Sequence, residues 1–164
     1  MLRAIMRLLR PLEAQGAIRW LNRDLAIGRP ADQAGWQTLR SRGVRAVVDL
    51  SGECGGVGEA VRRHGMRYLR LGVDRTGLPE AEELHIVTSW VLQRIRDGGS
   101  VLIHDADDRG NDALIACAVM VKDGVSAEKA QSHLRGASDA LLGAPQLDLL
   151  HQFMAQRAVA SRDS

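Results

Sequence analysis

The sequence predicts a single α/β domain in which a central, mostly parallel sheet of about four to five strands is flanked by helices. Two observations carry this prediction. Short apolar runs alternate along the chain with longer helical segments, which is the pattern of strands joined by crossover helices. The chain also has 164 residues, 45% of them hydrophobic and 26% charged, which is the size and composition of one globular domain with one core.

The composition excludes several other classes of protein. Two cysteines, Cys54 and Cys117, are too few for a disulfide scaffold and fit a reducing, cytoplasmic compartment. No apolar run approaches the roughly 18 residues that a membrane span needs. With 22 basic residues, 20 acidic residues and five scattered aromatic side chains, the chain lacks the composition of a nucleic-acid-binding protein.

Residues 1–10 have the pattern of a short amphipathic helix that ends at Pro11. The apolar positions recur at helical spacing on one face: Leu2, Ile5, Met6 and Leu9. The basic positions lie on another face: Arg3, Arg7 and Arg10. Two interpretations stay open at this stage. The segment is either a terminal helix packed on the domain or a short anchor at a membrane surface.

The next part of the chain predicts two strands separated by a helix. The apolar strand at 25–27 ends at the turn Gly28-Arg29-Pro30. A helix is predicted over 31–42, with Gly43 at the position after its end, where glycine is favoured. The strand at 44–50 is rich in valine and nearly continuous in its apolar character, as a buried parallel strand should be.

A third strand and a long helix follow. A glycine-rich turn over 51–58 leads into a short helix through His64, and a strand is predicted at 66–71. After the loop at 72–79, a helix is predicted over 80–97. Its first turns are acidic and its last turn contains arginines, which matches the dipole of a helix running in this direction.

The last strand is predicted at 101–104 and is followed by a polar loop at 105–111. Asp112 is a natural N-cap for an apolar helix over 113–121. Two further helices complete the domain, one opening at Ser126 and one over 145–159.

The loop after the strand at 101–104 has the features of an anion site. In sheets of this kind, ligands bind beyond the carboxyl ends of the strands. Successive backbone N–H groups converge in a tight strand–loop–helix segment, and the helix N-terminus adds positive potential. We therefore expect a site of phosphate size built from His104, Asp105, Ala106, Asp107, Asp108, Arg109, Gly110, Asn111 and Asp112.

This segment resembles the phosphate-binding loop of the cysteine-dependent protein tyrosine and dual-specificity phosphatases, H-C-x-x-G-x-x-R-[ST] between a strand and a helix. Further segments resemble the family in the same order: 25–30, 43–50 (similar to G-I-x-x-V-I-D-L), 68–74 and 119–134. The resemblance implies a dual-specificity-phosphatase-like domain over 20–159. An amphipathic N-terminal extension at 1–19 would precede it, and a tail at 160–164 would follow it. It also implies that His104 is buried and holds the loop by hydrogen bonding.

The loop departs from the family pattern at four positions. Asp105 stands where the family has its nucleophilic cysteine, Asp108 where it has a glycine, and Asn111 where it has the phosphate-binding arginine. Asp112 replaces the following hydroxyl residue, whereas Asp74 still matches the general-acid position. A carboxylate is a poorer nucleophile than a thiolate, and a carboxamide lacks the charge of a guanidinium. The resemblance thus implies a pseudophosphatase, catalytically inactive, with a binding or regulatory role.

Other functions stay open at the level of sequence. Asp105-Ala106-Asp107 also resembles the D-x-D start of haloacid-dehalogenase-type phosphatases, which favours a phosphoesterase with altered, metal-assisted chemistry through Asp105 and Asp107. The carboxylates of Asp105, Asp107 and Asp108 are of the type that holds a hard cation. A third hypothesis is a protein-interaction module. We expect no cofactor and no nucleic acid, a protein as the partner, and contact of residues 1–10 with a membrane surface as an alternative; the oligomeric state stays open.

Overall fold

The computed structural model describes residues 18–30, 32–51, 56–71, 77–105, 110–137 and 142–160. Its sheet has five strands in the order β1-β2-β5-β3-β4. Strands β2 to β5 are parallel to their neighbours, and β1 pairs antiparallel with β2 at one edge. The prediction of a mostly parallel sheet is confirmed. The strands are β1 (Ile18–Trp20), β2 (Leu25–Gly28), β3 (Val44–Asp49), β4 (Arg67–Arg70) and β5 (Ser100–His104).

Helices cover both faces of the sheet. They are α1 (Gln33–Ser41), α2 (Val57–Arg63), α3 (Ala81–Arg96), α4 (Asn111–Lys122), α5 (Ala127–Ala137) and α6 (Ala144–Ala160). Alternate strand residues face opposite sides, so Val47 and Leu102 pack with α1 and α2. Val48 and Ile103 pack with the other four helices. The fold is the α/β class that the sequence predicts.

The strand β1 is absent from the sequence-based prediction. It has only three residues, which is too short for a periodic signal. It forms because Ile18 and Trp20 bury their side chains, and because the Asn22 side chain accepts hydrogen bonds from the backbone of Asp24 and Leu25 in the turn to β2. The sheet therefore begins at Ile18, two residues before the predicted start of the domain.

The start of α4 also differs from the prediction. The helix begins at Asn111, and its N-cap is Gly110, not Asp112. Gly110 has a φ of +79°, a left-handed conformation that glycine adopts without steric cost. Asp112 lies inside the first turn, where its Oδ1 accepts a hydrogen bond of 2.7 Å from the N–H of Ala113. The left-handed conformation of Gly110 directs the chain into α4, and the helix begins without a hydrogen bond from an N-cap side chain.

Several predicted features lie outside the described residues. These are the helix of residues 1–10, Cys54, the general-acid position Asp74, the loop residues Ala106, Asp107, Asp108 and Arg109, and the tail at 161–164. In the part of the chain that the structure describes, no helix has both the length and the apolar character needed to cross a membrane.

Candidate functional site

The carboxyl ends of three parallel strands, β3, β4 and β5, lie side by side, and we call this end of the sheet the candidate edge. The register pairs Asp49 of β3 with His104 of β5 and with Arg70 of β4. The backbone continues this pairing beyond the strands, since Leu50 N–H donates to the carbonyl of His104 at 2.8 Å and Leu71 N–H donates to that of Asp49 at 2.8 Å. The segments that follow these strands are therefore held together at the edge where the sequence predicts the site.

The carboxylate of Asp49 joins the three strand ends. It accepts hydrogen bonds from Ser51 Oγ at 2.6 Å, from Ser51 N–H at 3.0 Å and from Tyr68 OH at 2.7 Å. His104 Nδ1 lies 3.1 Å from Oδ1 of the same carboxylate. Asp49 is 2% exposed, so these partners replace the water that a carboxylate normally requires. We call Asp49, Ser51, Tyr68 and His104 the Asp49 network.

The contacts within the Asp49 network shift the pKa values of Asp49 and Tyr68. Burial alone would raise the pKa of Asp49, but the hydrogen bonds from His104, Ser51 and Tyr68 outweigh it and lower the pKa to about 2. Burial and the bond to Asp49 raise the pKa of Tyr68 to about 12. Asp49 is therefore a carboxylate at neutral pH, and His104 must carry a proton on Nδ1 to donate to it.

The imidazole of His104 is also held from the side by α1. The ring of Trp36 lies 5.9 Å from it, centroid to centroid, and both residues are buried. His104 is thus buried and hydrogen-bonded, the arrangement that the sequence led us to expect. Its partner Asp49 was not among the predicted site residues.

Asp105 and Asn111 stand at the two ends of the predicted anion loop. Asp105 follows β5 directly, Asn111 is the first residue of α4, and each is 5% exposed. Oδ1 of Asn111 has no hydrogen-bond partner among the described residues. Asn111 is the first residue of α4, so this buried acceptor lies at a helix N-terminus, where free N–H groups and positive potential suit an acceptor or an anion.

The described residues hold no group of three or more histidine, cysteine, aspartate or glutamate side chains that could bind a metal ion. Asp107 and Asp108, which complete the acidic run of the loop, are outside those residues. Cys117 is a free thiol buried in α4, and its burial raises the pKa to about 12. A thiol in that state is not a nucleophile at neutral pH.

No protein-family model matches the sequence, and no curated protein matches it. Solved structures do match its fold. PTPMT1 superimposes with a TM-score of 0.78 at 20% identity, over 90% of this chain and 99% of that one. Tk-PTP in its active form gives 0.73 at 21% identity, over 85% and 97% of the two chains. The chain has the tyrosine and dual-specificity phosphatase fold.

A third solved structure has the same fold. Kinase associated phosphatase superimposes with a TM-score of 0.68 at 18% identity, over 82% of this chain and 87% of that one. In that structure a serine replaces a catalytic-site cysteine.

Sequence reasoning missed three members of the Asp49 network: Asp49, Ser51 and Tyr68. One signal was present, since Asp49 is an acidic residue at the end of the otherwise apolar strand VRAVVD. A charge in such a strand has to find partners when it is buried. Which partners it finds depends on the register between strands, and that register is set by the folded sheet.

The Asp49 network predicts an acid-sensitive component of stability. The pKa of Asp49 falls from its ordinary 3.8 to about 2 on folding. The stabilisation is therefore complete above about pH 5 and is lost as the pH falls toward 2, by about 2 kcal/mol. Urea unfolding of the wild type and of Asp49→Asn between pH 5 and 2 measures this contribution. The difference in the free energy of unfolding between the two proteins should shrink by that amount as the pH falls. A difference that stays constant with pH would contradict the assignment.

Proposed function

We propose that this domain is a pseudophosphatase: it keeps the phosphatase fold, does not hydrolyse phosphoesters through a cysteine, and acts by binding. One observation carries the proposal. The residue that follows β5 is a buried carboxylate, Asp105, and the resemblance of this loop to the phosphatase loop aligns it with the nucleophilic cysteine. The other described end of the loop, Asn111, stands at the position of the phosphate-binding arginine.

A carboxylate at position 105 changes what the loop can do. A thiolate in such a loop is stabilised by the helix N-terminus and attacks phosphorus readily. Asp105 is a weaker nucleophile, and its ionised form brings a negative charge to the place where a phosphate would lie. Two like charges about 4 Å apart repel by about 4 kcal/mol at intermediate dielectric. Phosphate binding in the family's manner is therefore disfavoured before any chemistry begins.

Asn111 lacks the second group that catalysis requires, a charged side chain that binds the phosphate oxygens. A guanidinium binds two phosphate oxygens with parallel N–H donors and neutralises charge that develops in the transition state. The carboxamide of Asn111 has one NH₂ group and no charge. The loss of one such contact typically lowers a rate by two to three orders of magnitude. Asp105 and Asn111 together remove both the nucleophile and the charge stabilisation.

The described residues around the candidate site are nevertheless held firmly in place. The Asp49 network ties the ends of β3, β4 and β5 together, and α4 starts at the expected side of the loop. Residues Ala113 to Val121 of α4 are all buried, so the helix is held firmly behind the site. Strand ends and a helix start that stay anchored without the reactive groups support a binding role for this end of the sheet.

Hydrolysis of an aryl phosphate tests the proposal directly. We expect no turnover above the buffer rate for the wild type, with Mg²⁺ or with a chelator, and no change on Asp105→Ala. Asp148→Ala, which removes an exposed carboxylate of α6, is the matched control. Mg²⁺-dependent turnover that Asp105→Ala abolishes and Asp148→Ala preserves would overturn the proposal in favour of metal-assisted hydrolysis through Asp105 and Asp107.

A further inference from the structure

A cavity lies between the carboxyl-terminal parts of α4 and α6, away from the candidate edge. Its volume is about 240 Å³, and it is lined by Val121, Met154, Arg157 and Ala158, all of them in the part of the chain that the structure describes. Val121 is the last residue but one of α4, whereas the candidate site lies at the start of that helix. Because the 12 residues of α4 span about 18 Å, the cavity is separate from the candidate site.

The guanidinium in the wall of this cavity is held in a fixed position. Arg157 Nη1 donates to the carbonyl of Val121 at 2.7 Å, and Nη2 donates to the carbonyl of Lys122 at 3.1 Å. The last carbonyls of a helix have no partner within the helix, so a basic side chain is well suited to bind them. A carbonyl carries no net charge. These bonds therefore position the guanidinium without neutralising it.

A second cation lies close to the first. Lys122 Nζ donates to Ser89 Oγ at 2.6 Å and to the carbonyl of His85 at 3.1 Å. Burial lowers the pKa of Lys122, and the positive charges of Arg157 and Arg96 lower it further. The like charges are therefore close enough to repel one another. An anion bound beside Arg157 would relieve this repulsion, which makes this end of α4 a favourable place for a negative charge.

The rest of the lining specifies the other part of a ligand. Val121, Met154 and Ala158 are apolar, and ligand pockets typically combine such walls with a few polar groups that fix orientation. An apolar cavity of about 150 Å³ holds a benzene molecule. The volume of about 240 Å³ therefore has room for a ring of that size and one carboxylate. A bare inorganic anion would leave the apolar walls without contacts.

We propose that this cavity binds a small organic carboxylate, with the carboxylate paired to Arg157 and an apolar body of about benzene size against Val121, Met154 and Ala158. The proposal goes beyond the proposed function and does not depend on it, since it concerns a second site at the other end of α4.

Titration of the full chain with benzoate, followed by ¹H–¹⁵N NMR, tests the inference. We expect saturable shifts of the backbone amides of Val121, Arg157 and Ala158, while the amide of Asn111 at the candidate site stays unmoved. Benzamide keeps the ring without the charge, and sulfate keeps a charge without the ring. We expect each to bind at least about tenfold more weakly than benzoate, because both a hydrogen bond to a charged group and the burial of a ring contribute at least that factor.

Two variants change the cavity in different ways. Arg157→Gln removes the guanidinium, and we expect benzoate to bind at least about tenfold more weakly. Ala158→Leu keeps both cations but fills the cavity from an exposed position of α6, and we expect it to abolish binding. The matched controls are Arg135→Gln on α5 and Ala155→Leu on α6, which change exposed residues outside the lining and should leave binding unchanged.

Several outcomes would overturn the inference. Without saturable shifts at the cavity, no carboxylate binds there. Equal binding of benzamide would mean that the charge is not recognised, and equal binding of sulfate would reveal a general anion site. Full binding by Ala158→Leu would place the ligand elsewhere, as would shifts centred on Asn111. If Arg157→Gln alters the circular dichroism spectrum, the comparison of Ala158→Leu with Ala155→Leu decides the question by itself.

Discussion

Asp49→Ala is expected to lower the free energy of unfolding by about 3 to 5 kcal/mol, the range seen when one partner of a buried charged network is removed. The carboxylate is 2% exposed and accepts four hydrogen bonds from Ser51, Tyr68 and His104. Without it, buried donors of all three residues lose their acceptor, and each such loss is costly. Urea unfolding followed by tryptophan fluorescence measures the change.

Two matched variants show whether the effect belongs to the Asp49 network. Tyr68→Phe removes a single donor and leaves the carboxylate in place, so we expect a loss of about 1 kcal/mol. Asp97→Ala removes an exposed carboxylate at the end of α3 that bonds Gln93, and such exposed groups contribute within about 0.5 kcal/mol. A loss below about 1 kcal/mol for Asp49→Ala would mean that water reaches the carboxylate and that the strand ends do not depend on it.

The second large effect is a gain of activity. Asp105→Cys, Asp108→Gly, Asn111→Arg and Asp112→Ser together recreate the family's loop pattern after His104. We expect hydrolysis of an aryl phosphate at least about 100-fold faster than by the wild type, since a nucleophile and a transition-state contact are both regained. The reason is that the substitutions change only four residues at positions 105–112, while the Asp49 network and the backbone at the start of α4 already have their positions.

The control for this gain is the same set of substitutions with Asp105→Ser in place of Asp105→Cys. Because a hydroxyl at this position is not deprotonated as a thiol is, we expect this variant to stay inactive. Steady-state rates with and without a chelator separate cysteine chemistry from metal-dependent turnover. A fourfold variant that folds with a wild-type circular dichroism spectrum and remains inactive would show that the retained scaffold no longer has catalytic geometry.

Much of the fold could be predicted because its signals are local. The valine-rich run of β3 and the apolar run of β5 identify two buried parallel strands, and the charge gradient of α3 identifies a helix with its direction. The structure confirms these three elements with bounds that differ by at most one residue at either end. The strand β1 could not be found in the same way, because three residues are too few to show a periodic pattern. Its backbone is extended because it pairs with β2.

The position of the site stays a prediction from the sequence, whereas the hydrogen-bonded network beside it came from the structure. A polar loop between an apolar strand and an apolar helix indicates a ligand site at the end of a parallel sheet, and the resemblance assigns Asp105 and Asn111 to the positions of reacting groups. Gly110 replaces the expected cap Asp112 because a left-handed residue turns the chain there. The sequence around Gly110 does not predict this left-handed conformation, because it depends on the direction in which the chain enters the helix.

The class of fold, and the aspartate and asparagine that stand where the resembled pattern has a cysteine and an arginine, can be taken from the sequence, because they follow from residue identity and order. Which side chains meet depends on the folded chain. The pairing of Asp49 with His104 and the position of Ile18 beside the carboxyl end of β2 both follow from strand register and direction. Register is set when the strands pack, because burial of their apolar side chains favours one alignment over others that the local sequence does not distinguish.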